Sequence, residues 1–214
     1  MDAPFRFLEN PFQQRITLPD RFKVIREQPI TRSSIMTDFT FHTLENTTGH
    51  TRELLEGIRK GYGFIPNLFA YMAEAPTTVE AYLALNDLVS RGSLSAAQQQ
   101  VALLAVSVEN ECEFCSVAHR AIGKMKGANA QTLNALASHS EIADAKDRAL
   151  ADFTQAVVRQ RGRPSAAEIQ AFLGTGFTRQ QILEVILIVS IKTLSNYINH
   201  LTKPEPNKEL LAAI

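Results

Sequence analysis

A repeated helix-start pattern constrains the fold of this chain more than any other feature of its sequence. At four places a Ser or Thr is followed three residues later by Glu or Gln, directly ahead of apolar residues at helical spacing. In this arrangement, called a capping box, the two side chains satisfy backbone N–H groups that the first turn of a helix leaves unpaired. The four pairs are Thr77 with Glu80, Ser95 with Gln98, Ser165 with Glu168, and Thr178 with Gln181. Each pair predicts a helix start.

The apolar residues that follow these starts also indicate helices. Val101, Leu104 and Val108 recur at the spacing of one helix face, and the same period runs through residues 182–189. The sequence contains no convincing run of alternating β-branched residues bounded by hairpin turns. We therefore predict an all-α fold, a bundle of roughly seven or eight helices at the usual length of about 10 to 14 residues.

Composition limits the classes of partner. The 214 residues carry 22 Lys and Arg against 22 Asp and Glu, which leaves no basic surplus for binding a phosphate backbone. The most apolar stretch, residues 182–191, contains Glu184 and is shorter than the roughly 20 apolar residues of a membrane span, so it predicts a core helix. The chain begins without the apolar run of a signal peptide, and its two cysteines favour a reducing compartment. We expect a cytoplasmic protein with neither nucleic acid nor a membrane as a partner.

The first 35 residues differ from the rest of the chain. They show neither helical nor strand periodicity, and they carry six basic against four acidic residues. Ordinary patterned sequence begins after Met36, which is therefore a candidate for the natural start. We predict an N-terminal arm over residues 1–35 and a helical domain over residues 36–214.

The chemically unusual residues lie together in one short segment. Cys112, Cys115 and His119 occur in the order Cys-x-x-Cys-x-x-x-His. On a helix they fall within an arc of roughly 60° and share one face. The break that precedes them is placed at Asn110 and Glu111, which predicts both thiols in the first turn of a new helix. Free N–H groups and the helix dipole favour a thiolate at that position.

This one turn contains what thiol redox chemistry needs. A thiolate that attacks an O–O or S–S bond requires a sulfur of low pKa, a proton donor for the leaving group, and a second thiol that forms a disulfide. Three nearby acids, Glu109, Glu111 and Glu113, oppose ionisation of the thiol if their side chains point toward it. The direction of those side chains therefore decides which effect prevails.

Other interpretations of the two cysteines are weaker. A structural zinc site needs a fourth ligand, and the remaining histidines stand singly, at His42, His50, His139 and His200. Covalent haem requires a histidine directly after the second cysteine, where this chain has Ser116. A thioredoxin motif follows a strand, whereas a helix is predicted here. The remaining alternative is a pair of buried, inert cysteines.

At these residues the sequence resembles the carboxymuconolactone decarboxylase-like proteins, and within them the AhpD-like alkylhydroperoxidases. The resemblance extends over most of the chain from Met36, through residues 63–76, 94–119 and 176–200, and its specific part is the Cys-x-x-Cys-x-x-x-His segment. It implies an all-helical homo-oligomer without a cofactor, and the missing fourth ligand argues separately against a metal. It also implies that Cys115 is the attacking thiolate, that Cys112 resolves the product, and that His119 belongs to a proton relay.

One position departs from the AhpD-like pattern. That pattern has a Glu twelve residues before the first cysteine, where this chain has Gln100. In a helical hairpin that turns near Asn110, residue 100 lies opposite roughly residue 120, so we expect its side chain to reach His119. Gln can orient a histidine but cannot exchange its proton. Peroxidase activity is then weakened, or Glu109 or Glu111 serves the relay instead.

Three functions remain open from the sequence. The first is a thiol-dependent peroxidase or disulfide oxidoreductase that reduces alkyl hydroperoxides and is regenerated by an unidentified dithiol. The second is a lyase of the carboxymuconolactone decarboxylase type, which has no need of paired thiols. The third is a non-enzymatic oligomer in which oxidation of Cys112 and Cys115 changes packing.

Overall fold

The computed structural model describes residues 39–214. These residues contain ten α-helices and no strand. The helices are α1 (Gly49–Tyr62), α2 (Asn67–Met72), α3 (Pro76–Ser90), α4 (Ala96–Glu109), α5 (Glu113–Met125), α6 (Ala130–Ala137), α7 (Ala145–Arg159), α8 (Ala166–Gly174), α9 (Arg179–Thr202) and α10 (Lys208–Leu211). Eight of them have eight residues or more, which confirms the predicted all-α fold. The predicted arm over residues 1–35 and the start at Met36 lie outside the described residues.

Three of the four capping boxes form as predicted. At Ser95, Ser165 and Thr178 the side chain accepts the N–H three residues later, and the Gln or Glu side chain accepts the cap residue's own N–H. The fourth prediction is wrong, because α3 begins at Pro76 and Thr77 lies inside its first turn. Proline is well suited to a first helical position, since its backbone angle is preset and it has no N–H to leave unpaired.

Helix α4 is the centre of the domain. Nine of its 14 residues are buried, and it contacts α5, α6, α7 and α9. Helix α9 packs against α4 and also against α3, α2 and α7. The α4–α5 hairpin and one face of α9 therefore meet in the interior of the domain.

Helix α9 extends well beyond the apolar stretch recognised in the sequence. It has 24 residues, and by length and composition alone it is long and apolar enough to cross a membrane. One face packs into the core and includes the polar residues Lys192, Asn196 and Asn199. The opposite face exposes Leu183 and Leu201, which are 70% and 67% exposed. The prediction of a core helix therefore holds for one face of α9.

Candidate active site

A tight turn between α4 and α5 positions the two thiols. Asn110 ends α4, and Glu111 adopts the left-handed conformation with φ of 54°, which reverses the chain. Cys112 then takes an extended conformation as the N-cap of α5, and its N–H donates to the carbonyl of Ser107 at 2.8 Å. Cys115 lies in the first turn of α5, as predicted. Cys112 was also predicted in that turn, but it lies one residue before the helix, as its N-cap.

Both thiols are buried and free. Cys112 is 3% exposed and Cys115 is 1% exposed. The side-chain amide of Asn199 donates to the sulfur of Cys115 at 3.1 Å and lies 3.8 Å from the sulfur of Cys112. Asn199 comes from α9, so the site is built from two helices that are distant in sequence.

The two thiols differ in acidity. Burial raises the pKa of Cys115, but the hydrogen bond from the Cys112 thiol, the positive charge of Lys192 and the Asn199 amide outweigh it, and the pKa lies well below the usual value. The pKa of Cys112 is raised, first because its thiol is the hydrogen-bond donor to Cys115 and then because it is buried. These directions favour the thiolate at Cys115 and the protonated thiol at Cys112.

His119 makes the contact that was expected from the hairpin. Its Nδ1 atom lies 2.9 Å from Oε1 of Gln100, and the imidazole is 6% exposed. Burial, followed by the charge of Lys192, holds the pKa of His119 well below its usual value, so the ring is neutral at neutral pH. With the Gln100 carbonyl oxygen as acceptor, Nδ1 carries the proton and Nε2 is left as a base.

The thiolate opens onto a small apolar cavity of about 120 Å³. Cys115, His119 and Lys192 are its polar lining residues, together with two tyrosines. Its aromatic walls are Tyr62, Phe64, Phe69, Tyr82 and Phe114. Burial raises the pKa of Tyr62 to about 12 and raises that of Tyr82 further, so both remain neutral phenols.

His119 also borders a second, more polar cavity of about 450 Å³. Gln100, Asn86 and Lys126 are among the residues that line this cavity, and none of them lines the smaller one. The imidazole thus stands between the thiolate cavity and the side chain of Gln100.

The three acids next to the thiols are placed away from this centre. The Glu109 carboxylate lies 3.8 Å from the guanidinium of Arg159 on α7. Glu111 and Glu113 are exposed, and none of the three lines either cavity. The structure therefore brings Cys112, Cys115, His119 and Gln100 together but does not bring Glu109 into contact with them.

Sequence reasoning missed the contribution of α9. Lys192, Asn196 and Asn199 follow one another at i, i+4 and i+7, so they share one face of an otherwise apolar helix. Asn196 accepts a hydrogen bond from the Asn110 side chain at 3.0 Å, which connects α9 to the turn that carries the thiols. This row of polar residues could have indicated the site from the sequence. One charged and two amide side chains on the buried face of a helix need polar partners in the interior.

No group of three or more His, Cys, Asp or Glu side chains is arranged to hold a metal ion within residues 39–214. The polar atoms that meet at the site are two thiols, one imidazole, one ammonium and several side-chain amides. This set suits proton and electron transfer at sulfur, which requires a thiolate, a nearby base and a second thiol.

Together, the fold and the site define an all-helical protein that holds a paired thiol at a helix N-terminus beside a buried histidine. Residues 76–156 match the profile of the Carboxymuconolactone decarboxylase family. The match contains α3 to α6, both cysteines and His119, which confirms the resemblance drawn from the sequence. A search of curated proteins finds no significant match.

Solved structures share the fold. An AhpD-core, peroxidase-related protein from Ralstonia eutropha JMP134 has a TM-score of 0.72 at 24% identity, covering 82% of this chain and 95% of its own. A peroxidase-related protein from Silicibacter sp. TM1040 has a TM-score of 0.69 at 22% identity, covering 84% and 95%. The debrominase Bmp8 has a TM-score of 0.61 at 16% identity, covering 76% and 89%. Each of these structures is less than 25% identical to this chain, and the similarity shows a shared fold.

Proposed function

We propose that this protein is a thiol-dependent peroxidase or disulfide oxidoreductase that reduces alkyl hydroperoxides. The observation that carries the proposal is the inequality of two adjacent buried thiols. The Asn199 amide donates to the sulfur of Cys115 at 3.1 Å, and the pKa of Cys115 is lowered whereas the neighbouring Cys115 and burial raise that of Cys112. One sulfur is thus prepared to attack and the other to resolve, which is the division of roles that peroxide reduction by a dithiol requires.

The reaction proceeds in two steps at sulfur. The Cys115 thiolate attacks the terminal oxygen of the hydroperoxide, the O–O bond breaks, and a sulfenic acid and an alkoxide form. The alkoxide takes a proton that reaches it through His119 and leaves as the alcohol. The Cys112 thiol then attacks the sulfenic sulfur, water leaves, and a disulfide forms. An unidentified dithiol returns two electrons and two protons and is itself oxidised.

The cavity favours a small apolar substrate. Its volume of about 120 Å³ is close to that of apolar protein cavities of about 150 Å³ that take up benzene. The walls are aromatic and aliphatic, with Phe64, Phe69 and Phe114 among them. A short alkyl or single-ring hydroperoxide therefore fits the site better than a long-chain lipid hydroperoxide.

The experiment that tests this function is a titration of free thiols before and after one equivalent of hydroperoxide. We expect the wild-type protein to lose both thiols, Cys115→Ser to lose none, and Cys112→Ser to lose only the reactivity of Cys115. With a dithiol such as dithiothreitol in excess, hydroperoxide consumption should continue past one turnover. Oxidation without turnover would favour the redox-sensing oligomer, and no oxidation would favour the lyase.

Alkylation rates provide an independent check of the roles of the two thiols. At pH 6 to 7 the thiolate, not the thiol, reacts with iodoacetamide, so Cys115 should be modified faster than Cys112. The two single Ser variants isolate the two rates. Faster modification of the sulfur of Cys112 would reverse the assignment of attacking and resolving thiols.

A further inference from the structure

Lys192 is buried in an unusual way. Within residues 39–214 it is the one Lys, Arg, Asp or Glu that is buried, at 1% exposed. No carboxylate of the described residues lies within 4 Å of its ammonium group. A buried charge is strongly unfavourable unless an opposite charge or several hydrogen bonds compensate it. An anionic group beside the ammonium would supply that compensation.

The cavity that Lys192 lines contains few ionisable groups. Helix α1 contributes Tyr62, α3 contributes Tyr82, and α5 contributes Cys115 and His119. The residues that reach the cavity from α2 and α10 do not titrate. Both tyrosines are neutral phenols and His119 is a neutral imidazole, so Cys115 is the one lining side chain here that can carry a negative charge near pH 7.

The shape of α9 directs Lys192 toward the same centre as Asn199. Residues 192 and 199 are separated by two helical turns on one face, and Asn199 donates to Cys115 at 3.1 Å. Lys192 enters the cavity from the same face and lines it together with Cys115 and His119. Helix α9 thus brings one amide to the Cys115 sulfur and one ammonium group to the cavity that this sulfur lines.

We propose that the Lys192 ammonium group is the buried counter-ion of the Cys115 thiolate. Lys192 is then a positioning residue, which holds the attacking sulfur in its charged form before substrate arrives. The role deepens the proposed function in one respect, since it rests on Cys115 being the attacking thiol.

The ion pair has a consequence for the redox cycle. In the reduced protein the thiolate and the ammonium compensate each other. When Cys112 and Cys115 form a disulfide, two electrons leave, the sulfur loses its charge, and Lys192 loses its partner. The reduced form is therefore stabilised relative to the disulfide, which makes the disulfide a stronger oxidant toward the incoming dithiol. The same cation stabilises the Cys115 thiolate as the leaving group when that dithiol attacks Cys112.

The test is a titration of one thiol in the Cys112→Ser background, where the Ser hydroxyl retains a hydrogen-bond donor to Cys115. Thiolate absorbance at 240 nm is followed against pH without any hydroperoxide. Lys192→Met should raise the midpoint by about 1 to 3 pH units, since an opposite charge close by shifts a pKa by that amount. Alkylation at pH 6 should slow about tenfold or more, and Lys192→Arg should restore both values.

The matched control is Lys126→Met. Lys126 is exposed and lines only the larger cavity, so its removal takes away the same charge near the site but not beside Cys115. The control should leave the midpoint unchanged. An unchanged midpoint in Lys192→Met, or an equal shift in Lys126→Met, would overturn the proposal. Because no hydroperoxide is used, failure of the ion pair and failure of peroxidase activity are distinguishable.

A stability cycle covers the case in which Lys192→Met folds poorly. Cys115→Ala leaves the ammonium unpaired, so adding Lys192→Met to that variant should raise its melting temperature. In the wild-type background the same substitution should lower it or leave it unchanged. Equal changes of melting temperature in the two backgrounds would show that Lys192 is not paired with Cys115.

Discussion

Replacing Gln100 by Glu is the perturbation that best tests the proton relay. Oε1 of Gln100 lies 2.9 Å from Nδ1 of His119, so a Glu of the same length keeps the acceptor atom in place and adds a negative charge. Burial and the charge of Lys192 now hold the pKa of His119 well below its usual value. A carboxylate at this distance should raise that pKa by about 1 to 3 units.

The size of the effect follows from the population of protonated His119. While the pKa of the imidazole stays below the working pH, each unit by which it rises increases the protonated fraction about tenfold. If proton transfer to the leaving alkoxide limits the reaction, Gln100→Glu should therefore accelerate hydroperoxide reduction by about 10- to 10³-fold, within or below the usual range for general acid catalysis. Stopped-flow single turnovers from pH 6 to 9 measure this, and Cys115→Ser should abolish the gain.

The same substitution should change the acid sensitivity of the fold. A neutral buried His119 binds fewer protons than the unfolded chain below about pH 6.5, so it makes the wild-type protein less stable as the pH falls. A carboxylate beside the imidazole reduces that loss. The melting temperature of Gln100→Glu should therefore decrease less than that of wild type between pH 7 and pH 5.

Glu109→Gln is the matched control for the relay. The Glu109 carboxylate faces Arg159 and lines neither cavity, so its removal should leave the hydroperoxide rate unchanged. A slower Glu109→Gln would show that Glu109 serves the relay despite its position. If Gln100→Glu folds normally but reacts no faster than wild type at any pH from 6 to 9, the hypothesis that proton transfer through His119 limits the reaction is refuted.

Two further predictions concern folding and assembly. Ser95→Ala should cost about 1 kcal/mol in urea unfolding because it removes a helix cap, whereas Thr77→Ala should cost little because Thr77 lies inside α3. We also expect a homo-oligomer, because Leu183 and Tyr197 on α9 are 70% and 57% exposed. Sedimentation equilibrium should give a mass above 23.7 kDa, and Leu183→Glu should lower it; a wild-type mass of 23.7 kDa would contradict this.

The parts of the structure that sequence reasoning predicted are those governed by short-range geometry. A capping box involves residues three positions apart, and a shared helix face depends only on the 3.6-residue period. The contact of Gln100 with His119 was also accessible, since two antiparallel helices joined by a short turn have a register that can be counted from Asn110. The failure at Thr77 is local too, because α3 begins at Pro76, two residues earlier than a cap at Thr77 would place it.

Contacts between distant segments were decided only by tertiary structure. Asn199 is 84 residues from Cys115, and no local rule states that their side chains meet. Burial and the charge of Lys192 lower the pKa of His119, whereas at Cys115 burial raises the pKa but the charge of Lys192 and the Asn199 amide help to lower it. These effects exist only after α9 packs on the α4–α5 hairpin. The position of Glu109 next to Arg159 is likewise a matter of helix packing. The amino-acid sequence alone thus determined the helices and the order of the reactive groups, whereas electrostatics at the thiols required the folded core, because burial and charge act through space and not along the chain.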